Sequence, residues 1–375
     1  MMKRYFATVA RSLEPIAARE LEKLGAQEVI PDFAGVHFQG DLALLYRVNL
    51  WARTIFRVLV PLTEFRCVDA GMLYRGVQQI DWGEYLTPDN TIAVRCTGSN
   101  RKLNHSHYSA LQVKNAIVDQ QRDRFGRRSS VDADDPDFAL NLHIYRDRGI
   151  LSLDSSGPSL HRRGYRPAVG LAPLKETLAA ALLDLAEYSP SLPLFDPLCG
   201  SGTLPLEASL KALNIAPGSF RDRFAFMKWP NFDRDLWVEI QREADRNRLD
   251  TLPATIIGSD RDPEAVSSAR INAENCGVKG QVQLIQQELS QVEAPGEGGI
   301  VICNPPYGER LGNTRELGDL YKLLGDTFKQ RFKGWTAYIL TGNKELAKRV
   351  GLRASRRMPV YNGALPCTLL KYELY

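Results

Sequence analysis

The residues best suited to chemistry in this 375-residue chain form the run 300-IVICNPPYGERLG-312. A buried, β-type segment delivers Asn304-Pro305-Pro306-Tyr307, and the two prolines fix the backbone while removing two N–H donors. Carbonyls and the Asn304 amide then project with no sheet partner. Such a loop suits a planar, exocyclic NH2 group. The Asn304 carboxamide oxygen and the Pro305 carbonyl can accept its two hydrogens while Tyr307 stacks on the ring. Holding both hydrogens leaves the nitrogen lone pair aimed at an electrophile, so no strong general base is required.

Two other runs end a strand in a carboxylate. In 194-LFDPLCGSGTLPLEA-208, Asp196 closes an apolar segment, and Gly200 and Gly202 open a helix through a turn where backbone can approach a ligand. A nicotinamide fingerprint fails, because Pro205 stands where GxGxxG needs its third glycine, and there is no GxxxxGK[ST] phosphate loop. Some 60 residues on, 256-IIGSDRDPEAVSSARINAENCGV-278 places Asp260 at a strand end, where a carboxylate can accept from both hydroxyls of a ribose. Asp262, just before Pro263, fits the helix cap and leaves Asp260 for a ligand. Glu288 follows the next strand, where a polar side chain can read an adenine edge.

The elements that must position these loops follow from periodicity. Residues 173–375 alternate strand and helix, with a helix from Pro173 and a closing antiparallel hairpin, which predicts an α/β, Rossmann-like sheet covered on both faces. Ligands of such sheets sit outside the carboxyl ends of the strands. Residues 1–62 read β-α-β-β-α-β, a ferredoxin-like α+β unit, with Ser12 capping a helix stopped at Gly25 and a hairpin turning at Pro31-Asp32. Helices and strands also alternate over 63–155, and 156–172 reads as a linker.

The chain carries 48 Lys and Arg against 44 Asp and Glu. Its whole excess of +4 falls before residue 171, densest between Arg95 and Arg128. Arg95, Arg101, Lys102, Lys114, Arg127 and Arg128 there, with interleaved His and Tyr, suit phosphate contacts and base stacking, as do Arg162 and Arg163. A solvated helix face would read the same by charge alone. Six cysteines without a CxxC pair argue against a zinc or disulfide framework, so no metal is expected. With no long apolar run and Lys3 and Arg4 at the start, a cytoplasmic protein without a membrane span is expected.

Asp196 to Thr203, Asp260 and Asn304 to Arg310 together resemble the S-adenosylmethionine-dependent class I methyltransferases, with NPPY typical of those acting on exocyclic or amide nitrogens. The wider pattern, including 161-HRRGYRPAVGLAPLKETLAAALL-183, 217-PGSFRDRFAFMKWPNFD-233 and 358-MPVYNGALPCTLLKY-372, resembles the bacterial THUMP-domain RNA guanine-N2 methyltransferases. It is most similar to free-standing relatives of the N-terminal half of the 23S rRNA enzyme.

That resemblance implies S-adenosylmethionine as cofactor. It is held by Asp196, Cys199, Gly200, Ser201, Gly202, Thr203, Asp260, Arg261 and Glu288, with Asn304, Pro305, Pro306 and Tyr307 at the reacting nitrogen. It also implies a THUMP domain over about 45–155 that binds RNA, 23S rRNA before tRNA. Adenine-N6 and protein-glutamine methyltransferases share NPPY. A cytosine-C5 enzyme would use Cys367, and a non-catalytic RNA-binding factor would leave the loops vestigial. Lys175 is placed to reach RNA or cofactor, or to be an ordinary surface lysine. Residues 1–155 are expected to be removable, leaving a folded cofactor domain.

Overall fold

The computed structural model describes residues 2–167, 174–307 and 314–375. Its first half runs β1 (Lys3–Val9), α1 (Glu14–Lys23), β2 (Gln27–Asp32), β3 (Gly35–Gly40), α2 (Leu42–Trp51) and β4 (Ile55–Arg66). It continues through α3 (Ala70–Gln78), β5 (Thr91–Ser99), α4 (Ser106–Phe125), β6 (Ser130–Val131), β7 (Phe138–Tyr145) and β8 (Arg148–Asp154). Asp41 caps α2, its carboxylate accepting from the Leu44 amide at 2.8 Å. Ser12 does not cap α1. It lies at φ +70° in the turn before the helix, and Leu13 takes the cap position. The hairpin turns at Phe33-Ala34, since Pro31 is still paired with Val36 on the sheet's edge strand, where its missing N–H costs no ladder bond.

These strands form one eight-stranded sheet in the order β2-β3-β1-β4-β8-β7-β5-β6. The long β4 pairs antiparallel with β1 through Ile55 to Leu59 and with β8 through Leu59 to Arg66, so one strand joins the ferredoxin-like strands to those after them.

The second half holds α5 (Glu176–Leu185), β9 (Leu194–Asp196), α6 (Thr203–Ala212), α7 (Arg234–Arg246), β10 (Ile256–Asp260), α8 (Pro263–Asn275) and β11 (Gln283–Gln286). After these come β12 (Ile300–Cys303), α9 (Thr314–Arg331), β13 (Thr336–Thr341), α10 (Lys344–Arg349), β14 (Arg356–Asn362) and β15 (Leu365–Glu373). The sheet order is β11-β10-β9-β12-β13-β15-β14, parallel except for the closing hairpin. Strand order reverses between β9 and β12, which is where a doubly wound sheet opens its ligand crevice. The expected Rossmann-like sheet is thus present. Pro173, where a helix was expected to start, lies outside the described residues, and the helix there begins at Glu176.

The described part of the expected linker, 156–167, packs against both halves. Ser155, Ser156, Leu160, Arg163 and Tyr165 are buried. Arg163, expected on an RNA surface, is 1% exposed and paired with the equally buried Glu207 of α6 at 3.4 Å. Its remaining N–H groups donate to the carbonyls of Ala52, Arg53 and Leu160. Burial works against its charge, and Glu207 more than restores it. Arg221, in the insertion before α7, donates to the carbonyls of Ser156, Pro158, Ser159 and Arg162.

An aromatic cluster completes this seam. Tyr46 of α2 stacks on Phe226 with ring centroids 4.4 Å apart, Trp237 of α7 meets both rings, and the Tyr46 hydroxyl accepts from the Asp233 amide at 2.9 Å. Gly218 is required here, for a Cβ would lie 2.7 Å from the Leu50 carbonyl oxygen. Residues 1–155 therefore cover apolar and charged groups of the second half. This packing speaks against the expectation that they can be removed without damage.

Candidate active site

The sheet brings the three sequence motifs to one edge. β9 lies between β10 and β12, so Asp196, Asp260 and Asn304 leave neighbouring strands at their carboxyl ends. The Asp260 carboxylate ties two loops together, accepting from the Gly200 amide and from the Asp262 amide, both at 3.0 Å. Asp262 caps α8 through the Glu264 amide at 2.9 Å, as expected. Gly200 and Gly202 sit at φ +53° and +85°, conformations that favour glycine. A Cβ on Gly202 would press within 3.1 Å of Ala269. At Gly200 it would meet nothing within 4 Å, so open space lies above that turn.

Asp196 is 2% exposed, accepts from the Leu198 amide at 3.1 Å, and has no cation partner among the described residues. Burial pushes its carboxyl well above the usual range, and the charge of Asp260 adds to this. A ligand ammonium would satisfy that carboxylate. The Cys199 thiol is buried behind the loop, against Gly258 of β10, and burial raises its pKa. Ser201 and Thr203 are buried as well. The Ser201 carbonyl accepts from Asn272 at 3.0 Å and the Thr203 hydroxyl from Arg166 at 2.8 Å. Arg261 and Glu288 are exposed at the rim, Glu288 just before a short 3-10 turn.

At the end of β12 the Asn304 Oδ1 is buried and has no hydrogen-bond partner among the described residues. An orphaned acceptor of this kind costs about 1–3 kcal/mol, a cost that a ligand donor would remove. Pro305 is buried beside it and Pro306 half-buried. The Tyr307 hydroxyl accepts from Asn362 Nδ2 at 2.8 Å and from the Cys367 thiol at 3.6 Å. Its ring lies against Gly342, where a Cβ would come within 3.0 Å. Asn362, Cys367 and Gly342 thus hold the loop from the closing hairpin and the end of β13. Sequence reading missed Asn362 and Gly342, which lie 35 or more residues away with no local signature. Cys367, 5% exposed, is committed to packing against Tyr307. Gly308 to Arg310, the end of the third motif, lie outside the described residues.

Of the expected RNA contacts, Arg95, Arg101, Lys102, Arg127, Arg128 and Arg162 are exposed and Lys114 is half-buried. Arg127 pairs with Asp89 at 3.0 Å and Lys102 with Asp69 at 3.6 Å, both in the open. Such exposed pairs are weak and leave the cations available to a stronger anion.

A family model for an RMKL-like methyltransferase domain matches residues 163–371, more than half of the chain. The chain belongs to this family. A THUMP domain is matched over 68–154 and an RlmL ferredoxin-like domain over 4–59. A protein of Synechocystis sp., named as a candidate RNA methyltransferase, is 58% identical over 99% of this chain and 97% of its own length. The ribosomal RNA large subunit methyltransferase K/L of Syntrophotalea carbinolica is 45% identical over 99% of this chain. The match takes in only 53% of that enzyme, so the chain spans about half the length of its K/L relatives. Among solved structures, SMU.472, a candidate methyltransferase complexed with SAH, is 33% identical. It superposes with a TM-score of 0.89, covering 100% of this chain and 98% of that one. The S-adenosylmethionine expectation and the methyltransferase fold both agree with these likenesses. No helix among the described residues is long and apolar enough to cross a membrane.

Proposed function

We propose that this chain transfers a methyl group from S-adenosylmethionine to the exocyclic N2 of a guanine in RNA, with 23S rRNA favoured over tRNA. The observation that carries this reading is the buried Oδ1 of Asn304 at the carboxyl end of β12, unpartnered among the described residues. A planar amine supplies the hydrogen that this oxygen lacks, and the Pro305 carbonyl is the acceptor for the second. The cofactor, when bound, supplies an electrophilic methyl on a sulfonium.

The chain's own residues bind and orient. Asp196 answers the ammonium of the methionine portion, and Gly200 and Gly202 bring backbone alongside it. Asp260 accepts from the ribose, with Arg261 and Glu288 at the adenine end. Asn304 holds the amine so that its lone pair is free, and orientation with fixed acceptors then supplies most of the rate. Methylated N2 is strongly acidic while cationic, so its proton leaves to water without a dedicated base. The Tyr307 ring, anchored by Asn362 and Cys367, offers a fixed surface to a base that has left its stack. The names of the K/L relatives support rRNA over tRNA.

Nucleosides from separately purified 23S rRNA and tRNA of a strain lacking the gene test the reading by mass spectrometry. N2-methylguanosine is expected to fall in 23S rRNA. Loss from tRNA alone moves the substrate, and loss of methyladenine in its place overturns the guanine assignment. With purified protein, Asn304→Ala is expected to lower turnover at least about 100-fold while cofactor still binds. Normal turnover in that variant would remove the proposed mechanism.

A further inference from the structure

Where the N-terminal unit meets the closing hairpin, a cavity of about 450 Å³ opens, lined by Arg11, Phe56, Lys175, Leu178 and Tyr361 among others. That volume suits a nucleotide-sized ligand. No carboxylate lines it, and among the described residues neither Arg11 nor Lys175 has an acidic partner. The Arg11 guanidinium lies 4.7 Å from the Phe33 ring centroid and 6.0 Å from that of Tyr361. Lys175 Nζ stands 5.5 Å from the Phe56 centroid. An arginine between two aromatic faces keeps its N–H edges free for an anion, and Phe33, 72% exposed, leaves an open ring at the end of the stack.

Two further observations bear on this place. The loops that present Arg11 and Phe33 carry non-glycine residues in the left-handed region, Ser12 at φ +70° and Ala34 at φ +55°. Those turns set the direction in which each of the two side chains leaves the backbone. The cavity also joins the active site through one strand. Tyr361 precedes Asn362 on β14, and Asn362 holds the Tyr307 hydroxyl. His161, edge-on to Phe56, is pushed down to about 4 by burial and then by Lys175, a sign of the positive potential here.

We propose that this cavity seats a nucleotide of single-stranded RNA adjoining the target, its phosphate between Arg11 and Lys175 and its base extending the Phe33–Arg11–Tyr361 stack. The inference rests on RNA being the substrate and adds a subsite built jointly by the ferredoxin-like unit and the hairpin. Two cations without an acidic partner among the described residues disfavour a metal, and the stacked rings favour a base over an acidic peptide.

The test uses the full chain and a fluorescein-labelled single-stranded RNA dodecamer, with dissociation constants measured by anisotropy across a salt series. Arg11→Ala and Lys175→Ala are each expected to weaken binding several-fold. Each should also reduce the slope of log K against log salt by about 0.7, the value for one phosphate contact on a single strand. Phe33→Ala is expected to weaken binding at least about fivefold with the slope unchanged, as loss of base stacking requires. Each variant should melt with the parent.

Unchanged affinities and slopes overturn the proposal. So does failure of the parent to bind the dodecamer at low salt, or equal competition by polyglutamate of matched charge. The measurement needs no methyl transfer, so a failed guanine-N2 assignment and a failed subsite give different results.

Discussion

Along the seam between the two halves, arginines turn inward. Arg163 is sealed against Glu207 and three backbone carbonyls, and Arg221 spends its donors on four more. Across the THUMP region the same residue type faces water, as at Arg101 and Arg128, or meets an exposed carboxylate, as Arg124 does at Asp81 and Arg127 at Asp89. Arg162 and Arg163 show both behaviours in adjacent positions. A basic cluster in the sequence is therefore two populations, one that fastens the fold and one that can meet an anion, and only packing separates them.

Removing residues 1–155 should break the seam with the largest effect. It would uncover Phe226 and Trp237, which Tyr46 meets, and strip Arg163, the partner of Glu207, of the Ala52 and Arg53 carbonyls. The fragment 156–375 is expected to aggregate or to lack a cooperative melt. A soluble fragment that melts cooperatively would show the seam to be incidental.

Arg163→Ala comes next, since an uncompensated Glu207 costs about 3–5 kcal/mol, read by chemical denaturation. A loss below about 1 kcal/mol would put Arg163 with the outer arginines. A pH series probes the same boundary. His161 stays neutral in the folded chain until about 4, whereas the unfolded chain takes up a proton near 6.5. Its contribution to stability is therefore fully present above pH 6.5 and lost as pH falls from there towards 4. His161→Gln should flatten that part of the profile, and an unchanged profile would assign the acid sensitivity elsewhere. The smallest stability effect is expected at Arg127→Ala, under about 1 kcal/mol. If its surface meets RNA, the salt slope of RNA binding should fall while stability holds.

Strand and helix order was legible because apolar spacing directly reports which face is buried. Strand-end motifs were legible because Asp196, Asp260 and Asn304 each close an apolar run, and the sheet sets those runs side by side. What sequence could not yield depends on distant partners. Glu207 sits within an apolar helix with nothing nearby to announce a buried ion pair, and its partner lies 44 residues earlier. Tyr46 and Phe226 are 180 positions apart, so their stacking left no periodic trace. Tyr307 was legible as part of NPPY, but the hairpin atoms that fix it were not. The Ser12 cap failed because the turn before α1 runs through the left-handed region, which no propensity marks for serine.

The change of partner along β4 has a mechanical consequence. One unbroken strand passes from β1 to β8 at Leu59 with no loop between, and the packed seam ties that sheet to the methyltransferase half. Joined in this way, the two halves would act as a caliper with fixed jaws. An RNA held on the outer THUMP face would be measured rather than embraced: a nucleotide reaches Asn304 only if it lies at the set span from the grip, so target choice would follow from length and fold of the RNA as much as from its letters.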